Sequence, residues 1–541
     1  MSKEKNAAIE TTIGCGRFQF LLYICCQWVV FAQAWNLVAI VFNKVQPTWT
    51  CLDEVMPAAA DGGSTTSLEA LNATMSHYQR QCAIRKDCKN LTYSYTYYSI
   101  VAEWQLVCDR ERIMYVIMTI QMAGVLVGAP IFGQIADSFG RKWSLFAVVA
   151  GLLISGGASA ASPTWQVYAA FTFLIGFFCG GSTVTGYVMM VEFLSQKHRL
   201  WVPSIGGWPI AFALLALMAY LAQSWRVLTV AINILAAPSL ALILFIGESP
   251  RWLLQAERVD EAMVQLRRIC RTNKTLVGDN DWAVLADTKL QQGAQKKGQS
   301  KKYSYWHLFS TKRMALNTIV LSTCFFCLSS ISFGLTFNVD KLSGSIFVNF
   351  FFMACLRWFG SMLTIGADTL FKKYGRRLGA ILPALLIAIA SSVSIILYIS
   401  SPNSPTLATV VRVLLLFSAA MCSPLWIALP LANNELFPTP IRNIAVAFCS
   451  IFNRLGGVVM PQILYMALFW RPSPFVAYLV LSLLLTTLFA VFIPETKGHP
   501  LPQQMPEKDR PRQESATERS NSFTAYKCMT VNYSETPLLQ E

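Results

Sequence analysis

The sequence predicts an all-α membrane protein of 12 transmembrane helices in two six-helix halves, and three observations carry that prediction. Of the 541 residues, 54% are hydrophobic and only 13% charged, against about 25% charged in a soluble protein. Mean hydropathy is +0.45. The apolar residues gather in twelve stretches, each near the roughly 20 residues that cross a bilayer as a helix. Short motifs at the ends of these stretches recur, in the same order, in the second half of the chain.

Residues 1–17 carry Lys3, Lys5 and Arg17 and lead into an apolar run at 18–42. That run exceeds the roughly 7–15 apolar residues of a cleaved signal, so it reads as a retained first span with a cytosolic N-terminus. The loop 43–112 then falls outside the cell. It holds Cys51, Cys82, Cys88 and Cys108, an even number in an oxidising compartment, which predicts two disulfides of open pairing. Acceptor sequons at Asn72 (NAT) and Asn90 (NLT) predict glycosylation, because such sites function only on the lumenal side. Those at Asn273 (NKT) and Asn532 (NYS) fall on the cytosolic side and read as chance matches.

Spans near 113–135, 143–161, 165–190, 201–221 and 226–247 complete an N-terminal half, 18–247. A cytosolic loop, 248–313, contains an amphipathic helical stretch, AERVDEAMVQLRRIC, and a lysine-rich linker. The C-terminal half, 314–493, has spans near 314–337, 345–366, 378–399, 407–432, 443–468 and 474–493. The tail 494–541 is polar and rich in Pro, Ser and Thr, a composition that predicts cytosolic disorder. The remaining cysteines, Cys324 and Cys327 among them, lie mostly in spans and read as packing residues.

The formal charge of +15 is placed in short loops on one side: Arg141 and Lys142; Lys197, His198 and Arg199; Lys312 and Arg313; Lys372, Lys373, Arg376 and Arg377. That is the positive-inside pattern of a chain whose partner is the lipid bilayer, not nucleic acid. No GxxxxGK[ST] string, metal-ligand spacing or nucleophile–base arrangement is present, and the chain has four histidines. The reading is therefore no enzyme, no cofactor and no metal, with transport driven by a gradient.

The repeat is the most informative feature. GQIADSFGRK (133–142) pairs with DTLFKKYGRR (368–377), EFLSQKHR (192–199) with ELFPTPIR (435–442), and ESPR (248–251) with PETKG (494–498). Two related halves spaced by roughly 240 residues are the signature of a secondary transporter with its substrate site between the halves, near the midplane. The motifs place Asp137, Arg141, Glu192, Arg199, Glu248, Arg251, Glu435, Arg442 and Glu495 at cytosolic helix ends. Ion pairs among them across the half-interface would hold an inner gate shut in one state and break in the other.

These motifs resemble the major facilitator superfamily, and further strings resemble its organic cation, organic anion and carnitine transporter family. They are GCGRFQ (14–19), VAEWQLVCDR (101–110), GYVMMVEF (186–193), GESPRWLL (247–254), NELFPTPIRN (434–443) and PETKGHPLP (494–502). The resemblance covers all but the tail and implies the major facilitator fold and a plasma-membrane carrier of small organic ions. One departure is visible: Lys372 stands where the first repeat has Asp137, which predicts an asymmetric inner gate.

Two ionisable residues lie deep in spans, Arg357 in the eighth and Arg454 in the eleventh, with no Asp or Glu at comparable depth. A charge there costs roughly 3 kcal/mol on insertion scales and marks a functional site. The resemblance implies that Arg454 occupies a position of aspartate in cation carriers and arginine in anion and carnitine carriers. By the same comparison Arg357 stands where cation carriers have glutamate. Guanidiniums without a resident counter-ion favour a carboxylate or sulfonate. Phe325 and Phe333, on one face of the seventh span, and Trp426 in the tenth match positions of substrate-contacting aromatics in organic anion carriers. Phe452 and Trp358 adjoin the arginines, and Asn36 is a polar candidate near the midplane. Rings beside arginines suit an amphipathic organic anion. The expectation is an organic anion transporter working by alternating access, with anion exchange as one mode. A zwitterion or carnitine-like carrier, a cation carrier, and a receptor built on a transporter fold are the alternatives.

Overall fold

The computed structural model describes residues 16–51, 91–194, 207–274, 304–371, 374–400, 405–438 and 440–497. Twelve apolar helices organise these residues. The first half contains α1 (Arg17–Val38, continued by Ile40–Asn43), α2 (Arg112–Phe139), α3 (Arg141–Ser159) and α4 (Trp165–Glu192). It is completed by α5 (Gly207–Ala222) and α6 (Trp225–Ala236, continued by Pro238–Phe245). The second half contains α7 (Lys312–Phe337), α8 (Ile346–Leu370), α9 (Arg376–Ser400), α10 (Pro405–Leu436), α11 (Arg442–Met466) and α12 (Ser473–Phe492). Eleven of these spans are long and apolar enough to cross a membrane, and α5 is a shorter apolar helix of 16 residues. The expected spans therefore recur, with bounds moved by a few residues.

Close packing explains much of the glycine content. In α2, Gly124 and Gly128 face α4, whose Gly176 and Gly180 face back; a Cβ on any of the four would overlap a backbone carbonyl opposite. Small residues spaced by four let two helix backbones approach within a bilayer, where dispersion and not the hydrophobic effect drives association. Large apolar side chains such as Ile154, Leu221, Phe245 and Leu363 are exposed on the outside of the bundle, as lipid contact requires.

One face of the bundle carries the described ends of the 43–112 loop, and the opposite face carries the described parts of 248–313. On the loop face, β1 (Thr48–Cys51) pairs antiparallel with β2 (Leu91–Ser94), a hairpin that the all-α expectation did not include. The rest of the described loop is tied down by VAEWQLVCDR. Glu103 accepts from Trp225 Nε1 at 2.6 Å and pairs with Arg226 at 2.5 Å, and Arg226 also donates to the Ser162 carbonyl at 2.8 Å. Cys108 is disulfide-bonded. Cys82, Cys88, Asn72 and Asn90 lie outside the described residues, and of Cys51 only the backbone is described. Cys324 and Cys327 are free and buried.

On the opposite face, the amphipathic stretch forms the helix Val259–Asn273. Its last residue reaches the start of α1: Asn273 Oδ1 accepts from the Phe18 amide and Nδ2 donates to Gln19 Oε1, both at 2.9 Å. A Cβ at Gly16 would stand 2.7 Å from Asn273, which accounts for the second glycine of GCGRFQ. Asn273 therefore ties the helix Val259–Asn273 to the start of α1.

Candidate substrate site and gates

Arg357 and Arg454 both belong to the second half and both meet helices of the first. Arg357, on α8, is buried; its Nη2 donates to the Ser332 carbonyl at 3.2 Å and to Thr336 Oγ1 at 3.1 Å on α7. Its guanidinium carbon lies 5.9 Å from the ring centre of Phe212 on α5. Its Nε is buried without a partner. Arg454, on α11, stands beside Cys179 of α4, and its buried Nε also lacks a partner. Among the described residues neither guanidinium forms an ion pair. Across from Arg454, Ser182 Oγ donates to Gln33 Oε1 at 2.9 Å and Cys179 Sγ lies 3.5 Å from the Gln33 carbonyl, a polar but uncharged wall.

The aromatic candidates divide. Trp426 donates from Nε1 to Ser332 Oγ at 3.2 Å, on the same residue whose carbonyl accepts from Arg357. Phe333 packs on Phe337 at 5.7 Å and contacts Gly457 of α11, which also faces Met122 of α2. Phe325 is buried within α7. Phe333 and the two arginines lie where the halves meet. Trp358 does not join them: it is 43% exposed on the outside of the bundle, because adjacent helix residues point about 100° apart. Phe452 packs on Phe448 at 5.3 Å, and Phe448 in turn lies 5.8 Å from Phe309. Asn36 is buried inside the first half, where Nδ2 donates to Asn233 Oδ1 at 3.2 Å and to the Ala32 carbonyl at 3.0 Å.

The charged motif residues assemble on the 248–313 face, but differently from the expectation. Arg141 pairs with Asp137 at 2.6 Å and with Glu192 at 3.1 Å. Glu248 accepts from the Arg141 and Lys142 amides at 2.8 and 3.0 Å, a carboxylate at a helix N-terminus as the backbone dipoles favour. The second half repeats the plan. Arg376 pairs with Asp368 at 2.6 Å and Glu435 at 3.3 Å, while Glu495 accepts from the Arg376 and Arg377 amides at 2.9 and 3.1 Å. Burial alone would raise the Glu495 pKa, but the amides of Lys497, Arg376, Arg377 and Thr496 hold it below its ordinary value.

Two corrections follow. These pairs join helices within one half, so they brace each bundle and do not bridge the halves. Glu192 and Glu435 turn to Arg141 and Arg376 rather than along the chain; Arg442 Nε donates to the Phe437 carbonyl at 3.4 Å, Arg199 lies outside the described residues, and Arg251 sits in the short helix Pro250–Gln255. Nor is the second network missing its acid. Asp137 and Asp368 both stand two residues before the end of their helix; a longer connection to α9 shifts the sequence register and puts Lys372 opposite Asp137.

Among the described residues, the ion pairs that bridge the halves lie on the loop face. Lys44, just after α1, meets Asp340, in the turn after α7, at 2.6 Å, with side chains only 6% and 5% exposed. Lys341 lies 3.5 Å from Glu111 at the start of α2. Beneath them, Phe42 packs on Phe347 at 5.8 Å and Phe350 at 5.2 Å, Phe212 on Phe350 at 5.4 Å, and Tyr115 on Tyr465 at 5.6 Å. Gln462 Nε2 donates to Thr119 Oγ1 at 2.7 Å. The loop face is thus sealed by four charges above a layer of rings. A sequence signal existed: α1 and α7 are equivalent in the repeat, and each is followed within three residues by a charged residue, Lys44 and Asp340.

The family described as "Sugar (and other) transporter" matches residues 69–507. The chain is 28% identical to an organic cation transporter protein of Drosophila melanogaster over 77% of its own length and 76% of that protein. It is 27% identical to solute carrier family 22 member 6 of Pseudopleuronectes americanus, covering 82% and 76%. It is 29% identical to organic cation/carnitine transporter 2 of Homo sapiens, covering 75% and 70%. Among solved structures, the inward open conformation of the xylose transporter XylE from E. coli matches with a TM-score of 0.60, covering 89% of this chain and 97% of that one at 16% identity. At that identity the likeness speaks to fold. The protein is a multi-pass membrane transporter of the major facilitator superfamily, belonging to its sugar (and other) transporter family and resembling the organic cation, organic anion and carnitine carriers within it.

Proposed function

We propose that this transporter moves small organic anions across the plasma membrane by alternating access, with the loop 43–112 outside, glycosylated at Asn72 and Asn90, and both termini in the cytosol. The observation that carries the reading is the pair Arg357 and Arg454, each with a buried Nε that lacks a partner and neither paired with a carboxylate. A cation entering between the halves would meet two guanidiniums and no acid. A carboxylate or sulfonate would supply the missing acceptors through charge-assisted hydrogen bonds. Trp426 and Phe333 offer surface to a ring or alkyl body. The partly filled valence of Arg357, held by Ser332 and Thr336, gives it a fixed orientation; Arg454 is the freer of the two.

The relatives named for organic cations and for carnitine favour a second reading. A zwitterion would place its carboxylate on Arg454 and its ammonium over the rings. Uptake of labelled para-aminohippurate, carnitine and tetraethylammonium by oocytes expressing the chain separates these readings. Anion uptake is expected; uptake of tetraethylammonium alone refutes the charge argument, and uptake of carnitine alone selects the zwitterion. Arg454→Gln, delivered to the surface, should lower anion uptake by about 10- to 150-fold, the worth of a hydrogen bond to a charged group at roughly 1.5–3 kcal/mol. Unchanged uptake would make Arg454 structural.

A further inference from the structure

A pocket on the 248–313 face lies outside the transport path, where α7, α9 and the end of α12 meet. It has a volume of about 290 Å³ and is lined by Arg313, Leu316, Asn317, Arg377, Val491 and Phe492, with the two residues that follow. Its polar groups are under-used. Asn317 is 9% exposed, and its amide makes no hydrogen bond among the described residues. Arg313 is exposed and likewise makes no ion pair or hydrogen bond there. Arg377 spends one side-chain nitrogen on the Ala490 carbonyl. The neighbouring carboxylate, Glu495, is engaged by backbone amides and, among the described residues, forms no ion pair with either guanidinium.

The flank of the pocket is apolar and faces outward: Leu316, Val491 and Phe492 are 40%, 71% and 41% exposed. The first half treats the equivalent junction of α1, α3 and α6 differently. There Lys142 donates to the Leu244 carbonyl at 2.9 Å, the counterpart of Arg377 and Ala490. The amphipathic helix Val259–Asn273 covers the spot, packing Ile269 with Phe18, Leu22, Ile243 and Ile246. Among the described residues, one half fills its junction with its own chain; the other leaves two guanidiniums and the Asn317 amide beside a lipid-facing wall.

We propose that this pocket binds the phosphate of an anionic membrane lipid, with the acyl chains lying along Leu316, Val491 and Phe492. Basic pockets between helices at a membrane surface suit such head groups. The requirement is for a phosphate at the polar end and a hydrocarbon at the rim, which a free phosphate meets only in part.

Native mass spectrometry of the full chain in detergent tests this with dioctanoyl phosphatidylinositol 4-phosphate as the probe. One bound lipid is expected, retained in excess over dioctanoyl phosphatidylcholine. Arg313→Gln and Asn317→Leu should each weaken it, the first by about fivefold, the worth of one basic residue at an anionic surface. Arg471→Gln, on the opposite face, should leave it unchanged. Inorganic phosphate at equal concentration should not displace the lipid; if it does, the site takes free anions and the lipid assignment falls. Full-strength binding by both pocket variants, checked for native size-exclusion behaviour, also overturns it. Binding is read without transport, so failure here leaves the organic-anion reading standing.

Discussion

The buried pair Lys44–Asp340 makes the sharpest prediction about how the halves move. In the state described here the pair is 2.6 Å apart and almost fully enclosed. Burial lowers the Lys44 pKa, and the charge of Asp340 opposes that shift, so Lys44 depends on Asp340 to remain ionised. Lys44→Met leaves Asp340 buried beside Glu111, whose Oε2 is already without a partner. Removing one member of a buried pair costs about 3–5 kcal/mol. When the loop face opens, the same groups meet water, so the cost falls on the closed state alone. A shift of about 3 kcal/mol changes the ratio of closed to open by roughly 150-fold. Met118, buried just beneath the pair, reports the change as Met118→Cys. With Lys44 present, a membrane-impermeant thiol reagent applied outside should label it slowly. With Lys44→Met the rate should rise by at least about tenfold, and the swap K44D/D340K should restore protection. Equal labelling in all three, at equal surface expression, would refute the reasoning and make the pair incidental to closure.

Gly176→Ala should abolish correct assembly, because its Cβ would overlap the Gln121 carbonyl of α2; fluorescence-detected size exclusion should show loss of the monodisperse peak, whereas Gly157→Ala, with open space at its Cβ, should not change it. Glu495→Gln should lower the melting temperature at neutral pH. Since the folded pKa of Glu495 lies below its ordinary value of 4.5, its contribution is complete above that value and lost as pH falls through the folded pKa. The gap between variant and parent should therefore close in acid; a gap that stays constant between pH 7 and pH 3 would show that Glu495 acts otherwise than as a carboxylate.

Local chemistry was legible in the sequence, and spatial pairing was not. Span positions follow from composition over some twenty residues, so they survive small errors of boundary. The intramembrane arginines were visible because charge is rare in apolar helices. Their neighbours were harder: Trp358 adjoins Arg357 in sequence yet faces outward, since residues one apart on a helix do not share a face. Asn36 is a lone polar group in sequence, but its partner Asn233 lies on α6, far along the chain. The acid opposite Arg376 was misplaced because motif alignment follows the glycine–arginine turn, while geometry follows the helix end. The Lys44–Asp340 pair spans both halves, and nothing local in either segment names the other.

The distribution of charge also bears on how the carrier cycles. The pairs on the 248–313 face brace each half internally, so moving the halves need not break them. The guanidiniums of Arg357 and Arg454 behave differently, because they lie where the halves meet and have no carboxylate of their own. Closing the halves around an empty site would desolvate two like charges, with an effective penalty of several kcal/mol for each ion left unpaired. A bound anion removes part of that penalty by taking up the free N–H groups. If it removes even about 2 kcal/mol, the loaded carrier crosses roughly 30 times more readily than the empty one. On the organic-anion reading proposed above, that asymmetry would favour exchange over net flux. In vesicles preloaded with labelled para-aminohippurate, unlabelled anion outside should therefore accelerate efflux by about that factor. Arg454→Gln should weaken binding while shrinking the acceleration, because one desolvation penalty is gone. Efflux indifferent to the outside anion in the parent protein would mean that the empty site closes freely and that the two charges do not set the coupling.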